Sequence, residues 1–553
     1  MMLQTQQTAQ LAQTRSQQRV VPAQVCVQNP SRTSVVASSS RPDIRSGAAS
    51  ATASPSTISP TYITREARKA LFSPAKEQVE EVEGVVSGKL PDWLQGSLLV
   101  NGGGDYTNMV HMFDGLAMLV KLRVEGGRVW ASQRYVATEQ YKHYKRTGRL
   151  RWREFGTPLP AANVGEKAGQ VAEQLLALAT KVGGFTDNAS VSVTPLPDGS
   201  VLAGSETAFS VYRVDPQRLA TLNQCRFTGD GVPGDLLTAH PKLLPGGVSM
   251  VNFSRVLPLG GFHVYVQDMR TLKRRQVAYI PDRDPLNPAW VHDFAVTGRH
   301  AVIFEMPLLF NMPALMLGEN NRDHLFMDWK PELGTRIHVV ALDGSGVKSY
   351  NAPPFFTFHF ANGFEEGGAL HVDFAGYADA RIMDDLNMGP IFQFPGKEVS
   401  RSALQRVTIP LDAPSGATLP GPCSVLKDDA AYGNFCEFPQ VAPNARYRPY
   451  RYTYCQAARR PTNLGNALAK HDVVAGTSQL WHQDGCMPGE AAFVPRPGGT
   501  AEDDGVVVAP VMGADGRSFL LVLDAARWTE VARAALPYGA PYRFHGTWLP
   551  KTA

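Results

Sequence analysis

The stretch VHDFAVTGRHAVIFEMPL (291–308) sets His292 at the head of an apolar run that breaks at Thr297-Gly298 and resumes as a second strand-like run. Short runs rich in Val, Ile and Phe, punctuated by turn residues, read as strand, turn, strand. Working outward, FFTFHFANGFEE (355–366) repeats the arrangement around His359, while LLTAHPK (236–242) and YRFHGTWLP (542–550) place His240 and His545 in or beside apolar runs. None of the four has the short-range spacing of a zinc finger or an HExxH helix. Four imidazoles brought together from four separate strands would form a ligand set for a divalent transition metal, with iron a natural choice. The chain holds 13 histidines, and a lone histidine on an apolar strand is more often a hydrogen-bonded core residue. Spacing by itself therefore does not select these four.

At 553 residues and 43% apolar content the chain can bury a sizeable core, and length alone suggests two or three domains. Candidate ligands near both ends argue instead for one large domain, residues 60–553. Fifty Gly and 41 Pro punctuate strand-like runs such as VIFEMP (302–307), RIHVVAL (336–342), ALHVDF (369–374) and SFLLVLDA (518–525). No repeat period is legible, and no stretch approaches 18 consecutive apolar residues. Residues 1–55 are rich in Ser, Thr, Gln and Ala, with five Arg and the single acid Asp43, which reads as a plastid or mitochondrial transit peptide. That excess of basic over acidic residues equals the net charge of the whole chain, +4, so nothing points to nucleic acid. Six cysteines without a CxxC pair fit a reduced compartment. EKAGQVAEQLLALATKV (166–182) places Val171, Leu175, Leu178 and Val182 near a helical stripe. It serves either as part of a cap or as a monotopic contact with a membrane surface. LLFNMPALML (308–317) is a second apolar candidate for such contact.

Nine blocks fall in the order of one family. They are LPDWLQGSLLVNGGG (90–104), HMFDGLAMLVKLRVEGGRV (111–129), SETAFSVYRVDPQRLATL (205–222), TAHPK (238–242), VHDFAVTGRHAVIFEMPL (291–308), FHFANGFEE (358–366), CEFPQV (436–441), GEAAFVPRPG with EDDG (489–505), and RFHG (543–546). On these blocks the chain resembles the carotenoid cleavage oxygenases, non-haem iron dioxygenases that cut polyene chains with O2. The resemblance implies an all-β fold, a seven-bladed β-propeller with iron on its axis and a helical cap over one face. Each ligand would then sit on the inner strand of a different blade, and 409–422 (IPLDAPSGATLPGP) would be a loop between blades.

By the same resemblance His240, His292, His359 and His545 bind Fe(2+). Glu206, Glu437 and Glu490 receive hydrogen bonds from His292, His359 and His545 respectively. A carboxylate behind each imidazole fixes its tautomer and raises its basicity. Four protein ligands leave two octahedral positions open, enough for O2 beside a water or a substrate double bond. YKHYKRTGRLRWREFGTPLP (141–160) and FMDWKPELGTRIHVVAL (326–342) resemble the strigolactone-pathway branch, which acts on β-apo-10′-carotenal in the plastid. VNGGG (100–104) departs from the family's usual opening block, at Val100 and Gly103. Cleavage of full-length carotenoids, a non-oxidative polyene isomerase and a non-catalytic propeller are the alternatives. The three glutamates argue against the last, and the plastid-type leader argues against the isomerase.

Overall fold

The runs read as strands fold as strands, His300–Glu305, Thr335–Ala341, Ala369–Tyr377 and Ser518–Asp524. Their near-continuous apolar character has a packing cause. Ser518–Asp524 is buried at every position but its last, because a sheet stacked between two others has no solvated face. The computed structural model describes residues 61–551 apart from 181–184, 228, 258–259, 321–323 and 428. The expected leader, residues 1–55, lies outside the described residues, as does Val182.

Seven antiparallel sheets of four to six strands form the blades of a β-propeller. Blade 1 holds Gln78–Glu83, Gly96–Gly103, Ala117–Glu125, Arg128–Tyr135 and the C-terminal strand Gly546–Pro550. Blade 2 runs from Ser192–Pro195 to Ala220–Gln224, and blade 3 from Leu236–Leu237 to Arg274–Ile280. Blade 4 runs from Ala295–Val296 to Val347–Ala352, and blade 5 from Phe356–Glu366 to Cys423–Ser424. Blade 6 spans Glu437–Val441 to Thr477–His482, and blade 7 spans Met487–Pro488 to Thr529–Ala535. The innermost strands of the blades form a ring, in which Gly546–Pro550 touches Ser192–Pro195 and Ala492–Pro495, and Phe356–Glu366 touches Ala295–Val296 and Glu437–Val441.

Both ends of the domain close the ring. Gly546–Pro550 pairs antiparallel with Gly96–Gly103, Val100 opposite Gly546. Val85–Gly88 adds to the outer edge of blade 7, Val85 opposite Ala535. This double closure carries His545, eight residues before the C-terminus, to the centre. It also gives NGGG a reason. A side chain on Gly102 would stand 2.3 Å from the Tyr542 carbonyl oxygen, and one on Gly103 would stand 2.4 Å from the Tyr106 hydroxyl.

Two expectations change in detail. Segment 409–422 lies inside blade 5, joining Ser402–Pro410 to Cys423–Ser424, rather than between blades. The cap is built of loops and short helices, Glu139–Thr147, Met312–Leu317, Ile382–Asp385 and Met388–Phe392, with one longer helix, Val164–Thr180. On that helix Val171 is half-buried and Ala177 buried, whereas Leu175 and Leu176 are 55% and 61% exposed.

Candidate metal centre

Seven side chains from seven blades meet at the centre of the ring. Glu206 follows Val201–Gly204 in blade 2, and His240 sits between Leu236–Leu237 and Lys242–Leu243 in blade 3. His292 precedes Ala295–Val296 in blade 4, and His359 lies within the inner strand of blade 5. Glu437 opens the inner strand of blade 6, Glu490 lies between Met487–Pro488 and Ala492–Pro495 in blade 7, and His545 precedes the inner strand of blade 1. Residues hundreds of positions apart converge because each blade delivers its inner strand to one axis.

The four Nε2 atoms crowd one point. His240 and His292 are 3.0 Å apart, His292 and His359 3.2 Å, and His359 and His545 3.2 Å. Behind them His292 Nδ1 bonds Glu206 Oε1, His359 Nδ1 bonds Glu437 Oε2 at 2.5 Å, and His545 Nδ1 bonds Glu490 Oε1 at 3.0 Å. A proton held on Nδ1 by a carboxylate leaves the Nε2 lone pair facing the shared point.

Further residues hold the carboxylates, and the sequence reading missed them. Trp290 Nε1 donates to Glu206 Oε2 at 3.0 Å, and the Tyr377 hydroxyl donates to Glu437 Oε1 at 2.5 Å. Gln440 Nε2 and the Gly546 amide donate to the two Glu490 oxygens, each at 2.7 Å. His240 is braced differently. Its amide donates to Thr238 Oγ1 at 3.0 Å, and the same hydroxyl donates to the His292 carbonyl at 2.6 Å. Lys242 Nζ stands 2.7 Å from the buried Asp293 carboxylate, joining the two segments that carry His240 and His292. Asn101 clamps the segment of His545 through its backbone and sends Nδ2 to the Ser192 carbonyl of blade 2 and to the Ala189 carbonyl just before it. Each is a single polar residue in an apolar run, and no spacing marks it.

Blade 6 carries a distortion at the centre. Its inner strand shifts register between Glu437 and Gln440, and Phe438 has φ +52°, a left-handed conformation costly for an aromatic residue. The kink aims Glu437 at His359 and lays the Phe438 ring 5.0 Å from His359 and 5.1 Å from His545.

The donor set fits a divalent cation. Burial and the repulsion of the neighbouring imidazoles hold His240 and His359 well below the ordinary 6.5, so both stay neutral and able to ligate. Burial pushes Glu437 up to about 8, against the pull of the Tyr377 hydroxyl, and a cation held beyond His359 would favour its ionised form. Neutral ligands make the pH sensitivity of metal retention readable. With the His240 and His359 pKa values depressed, protons compete for these two Nε2 atoms only as the pH falls through those lowered values. Ferrous iron should therefore stay bound as the pH drops below 6.5, measured as iron content after stepped dialysis of the folded chain. Half-loss at 6.5 or above would show ordinary histidines.

Above the four histidines lies a cavity of about 180 Å³, walled by Phe113, Phe155, Trp290, Phe326, Phe358 and Phe544. One region is polar, with Arg153 and Glu154. Burial and the nearby Asp114 carboxylate raise Glu154 well above the ordinary carboxyl range, and it accepts bonds from Gln140 Nε2 and Thr186 Oγ1.

A histidine-ringed centre beneath a chamber walled by aromatic rings belongs to metalloenzymes that work on apolar molecules. The family model for retinal pigment epithelial membrane protein matches residues 71–550. Carotenoid cleavage dioxygenase 8 homolog A, chloroplastic, of Oryza sativa subsp. japonica is 36% identical over 484 residues, covering 84% of this chain and 85% of that protein. Carotenoid cleavage dioxygenase 8, chloroplastic, of Arabidopsis thaliana is 36% identical over 501 residues, covering 86% and 85%. Among solved structures, cobalt-substituted Synechocystis apocarotenoid oxygenase superposes with TM-score 0.74 at 26% identity, over 89% of this chain and all of that one. The chain belongs to the RPE65/carotenoid oxygenase family, whose members depend on non-haem iron, and it is a carotenoid cleavage dioxygenase.

Proposed function

We propose that this chain, held in the plastid after loss of a leader near residues 1–55, cleaves a double bond of β-apo-10′-carotenal, giving carlactone or the 13-apocarotenone. The observation that carries the reading is the aromatic cavity opening directly onto His292, His359 and His545, the three carboxylate-backed members of the four-histidine cluster. His240, His292, His359 and His545 would hold Fe(2+), and Glu206, Glu437 and Glu490 would keep three of them in the ligating tautomer. Bound ferrous iron supplies O2 activation. The protein's own part is to shape the polyene between Phe113, Trp290 and Phe358, to exclude water, and to keep the histidines neutral. An aldehyde-bearing substrate is favoured over a hydrocarbon by the polar region of the cavity. Burial favours the neutral form of the Glu154 carboxyl, which could offer its proton to a carbonyl oxygen there. Likeness to two plant relatives named as chloroplastic supports the plastid.

The test is anaerobic reconstitution with Fe(2+), then O2 with the 9-cis or all-trans aldehyde, products read by mass spectrometry. Carlactone from the 9-cis aldehyde supports the whole reading. Cleavage of intact carotenoids alone keeps the family and discards the substrate.

Membrane contact belongs to the same proposal, because the substrate dissolves in lipid. No described helix is long and apolar enough to cross a bilayer. Leu175 and Leu176 on Val164–Thr180 are more than half exposed, and so is Val164 at its start; Leu317, on Met312–Leu317, is 43% exposed. Burying a fully exposed side chain of this kind is worth about 1.5–3 kcal/mol, and these half-exposed leucines would gain part of that. The double variant Leu175→Glu, Leu176→Glu should co-sediment with plastid-lipid vesicles at least tenfold less, while a soluble short-chain substrate is still turned over. Unchanged sedimentation assigns the exposed leucines no lipid role.

A further inference from the structure

Outside the histidine centre, blade 6 holds a second cluster of ligand-type side chains. Cys436 immediately precedes its inner strand, Cys455 lies in Tyr452–Ala457, and His471 lies in Ala467–Asp472. All three are completely buried. Their two Sγ atoms and the imidazole nitrogen lie within 4.8 Å of one another, and His471 Nε2 is 3.0 Å from Cys455 Sγ. His471 Nδ1 is 2.7 Å from Ser478 Oγ on the adjacent strand. With the Nδ1 proton donated to that hydroxyl, the Nε2 lone pair faces the sulfurs, as it does when histidine ligates a metal. Ser402 Oγ fixes the backbone of Cys436 from both sides, accepting from its amide at 2.8 Å and donating to its carbonyl at 3.1 Å. The surrounding wall is apolar, with Ala375, Leu404, Leu426, Ala457, Ala467 and Ala469.

We infer that Cys436, Cys455 and His471 form a second metal site, for a thiophilic divalent cation with zinc(II) as the natural occupant. Charge decides among soft metals. Two thiolates and a neutral imidazole carry two negative charges, which a divalent ion cancels among the apolar side chains around them, whereas copper(I) would leave one uncompensated. Two sulfurs and one imidazole, with a fourth position left to water, is a ligand set that zinc uses. Binding forms two zinc–sulfur bonds and one zinc–nitrogen bond, and the two thiol protons leave to solvent. No electron moves. Because all three ligands are buried, the ion enters as the blade folds. It then ties the residue next to Glu437 to the third strand of the blade, stiffening the approach to His359.

The experiment uses the full chain expressed with zinc supplementation, purified anaerobically and passed over a chelator, with metal content read by plasma mass spectrometry. The His292→Ala, His545→Ala double variant serves as background, because a centre left with three histidines could still hold zinc. The expected result is about one zinc per chain in this background, lost when Cys455→Ala or His471→Ala is added. Expression with cobalt(II) should give a thiolate-to-cobalt charge-transfer band in the near ultraviolet. Should the added variants fail to fold, the background chain alone still decides by that band and by the zinc count. Absence of zinc and of the band overturns the site, as does a thiol count under denaturant showing Cys436 and Cys455 joined as a disulfide. A chain that binds zinc here yet cleaves no carotenoid leaves this site standing and removes the catalytic reading, so the two fail separately.

Discussion

Replacing either His292 or His545 with alanine should abolish iron retention and polyene cleavage while the propeller still folds. Each supplies one of four nitrogens at the shared point, and neither has a substitute among the described residues within that cluster. The fold survives because the carboxylate left behind keeps other partners. Glu490 retains the Gln440 side chain and the Gly546 amide, each at 2.7 Å, and Glu206 retains the Trp290 indole at 3.0 Å. The cost is one charge-assisted hydrogen bond in each case, about 1.5–3 kcal/mol, small against the cooperativity of seven interlocked blades. Iron content by plasma mass spectrometry, circular dichroism and oxygen-dependent loss of the polyene absorbance form the measurement. A variant that keeps full iron and full turnover refutes the ligand assignment. One that loses the fold as well would show that the histidines carry structure rather than chemistry.

The legible and illegible parts of this chain divide on physical lines. Strands such as Ser518–Asp524 announce themselves because a blade stacked between blades must be apolar throughout. His292 and His359 stand out because a titratable residue in an apolar run is conspicuous, yet their meeting could be inferred only through resemblance, since convergence is a property of the ring and not of spacing. Tyr377, Gln440 and Thr238 leave no trace of their role. Tyr377 sits in an ordinary strand and touches Glu437, 60 positions away, only when blades 5 and 6 pack together. Segment 409–422 was legible as a loop, but nothing in it tells whether the strands it joins share a sheet. The helix Val164–Thr180 was visible from the periodicity of 166–182, whereas the orientation of Leu175 and Leu176 depends on what packs beneath them.

Glu437→Gln separates orientation from ligation, because it keeps the size of the side chain and removes its charge. In the wild-type chain Glu437 Oε2 accepts from His359 Nδ1 at 2.5 Å while Oε1 accepts from the Tyr377 hydroxyl at 2.5 Å. A glutamine can still accept one of these bonds, but its amide nitrogen confronts the other donor. Either His359 rotates or its Nδ1 proton moves to Nε2, where it blocks the lone pair. Loss of such an outer carboxylate costs about 10–100-fold in metal affinity or turnover. The buried, kinked setting places the effect toward the upper part of that range, since Phe438 at φ +52° leaves the strand little freedom to readjust. Tyr377→Phe is the matched control. It removes one donor to the carboxylate, leaves the His359 bond intact, and should lower iron affinity by about tenfold or less. Iron titration of both variants, with turnover at saturating iron, distinguishes the cases. Equal loss in the two would mean that Glu437 acts only by anchoring its own strand, and no loss in Glu437→Gln would free His359 from its carboxylate altogether.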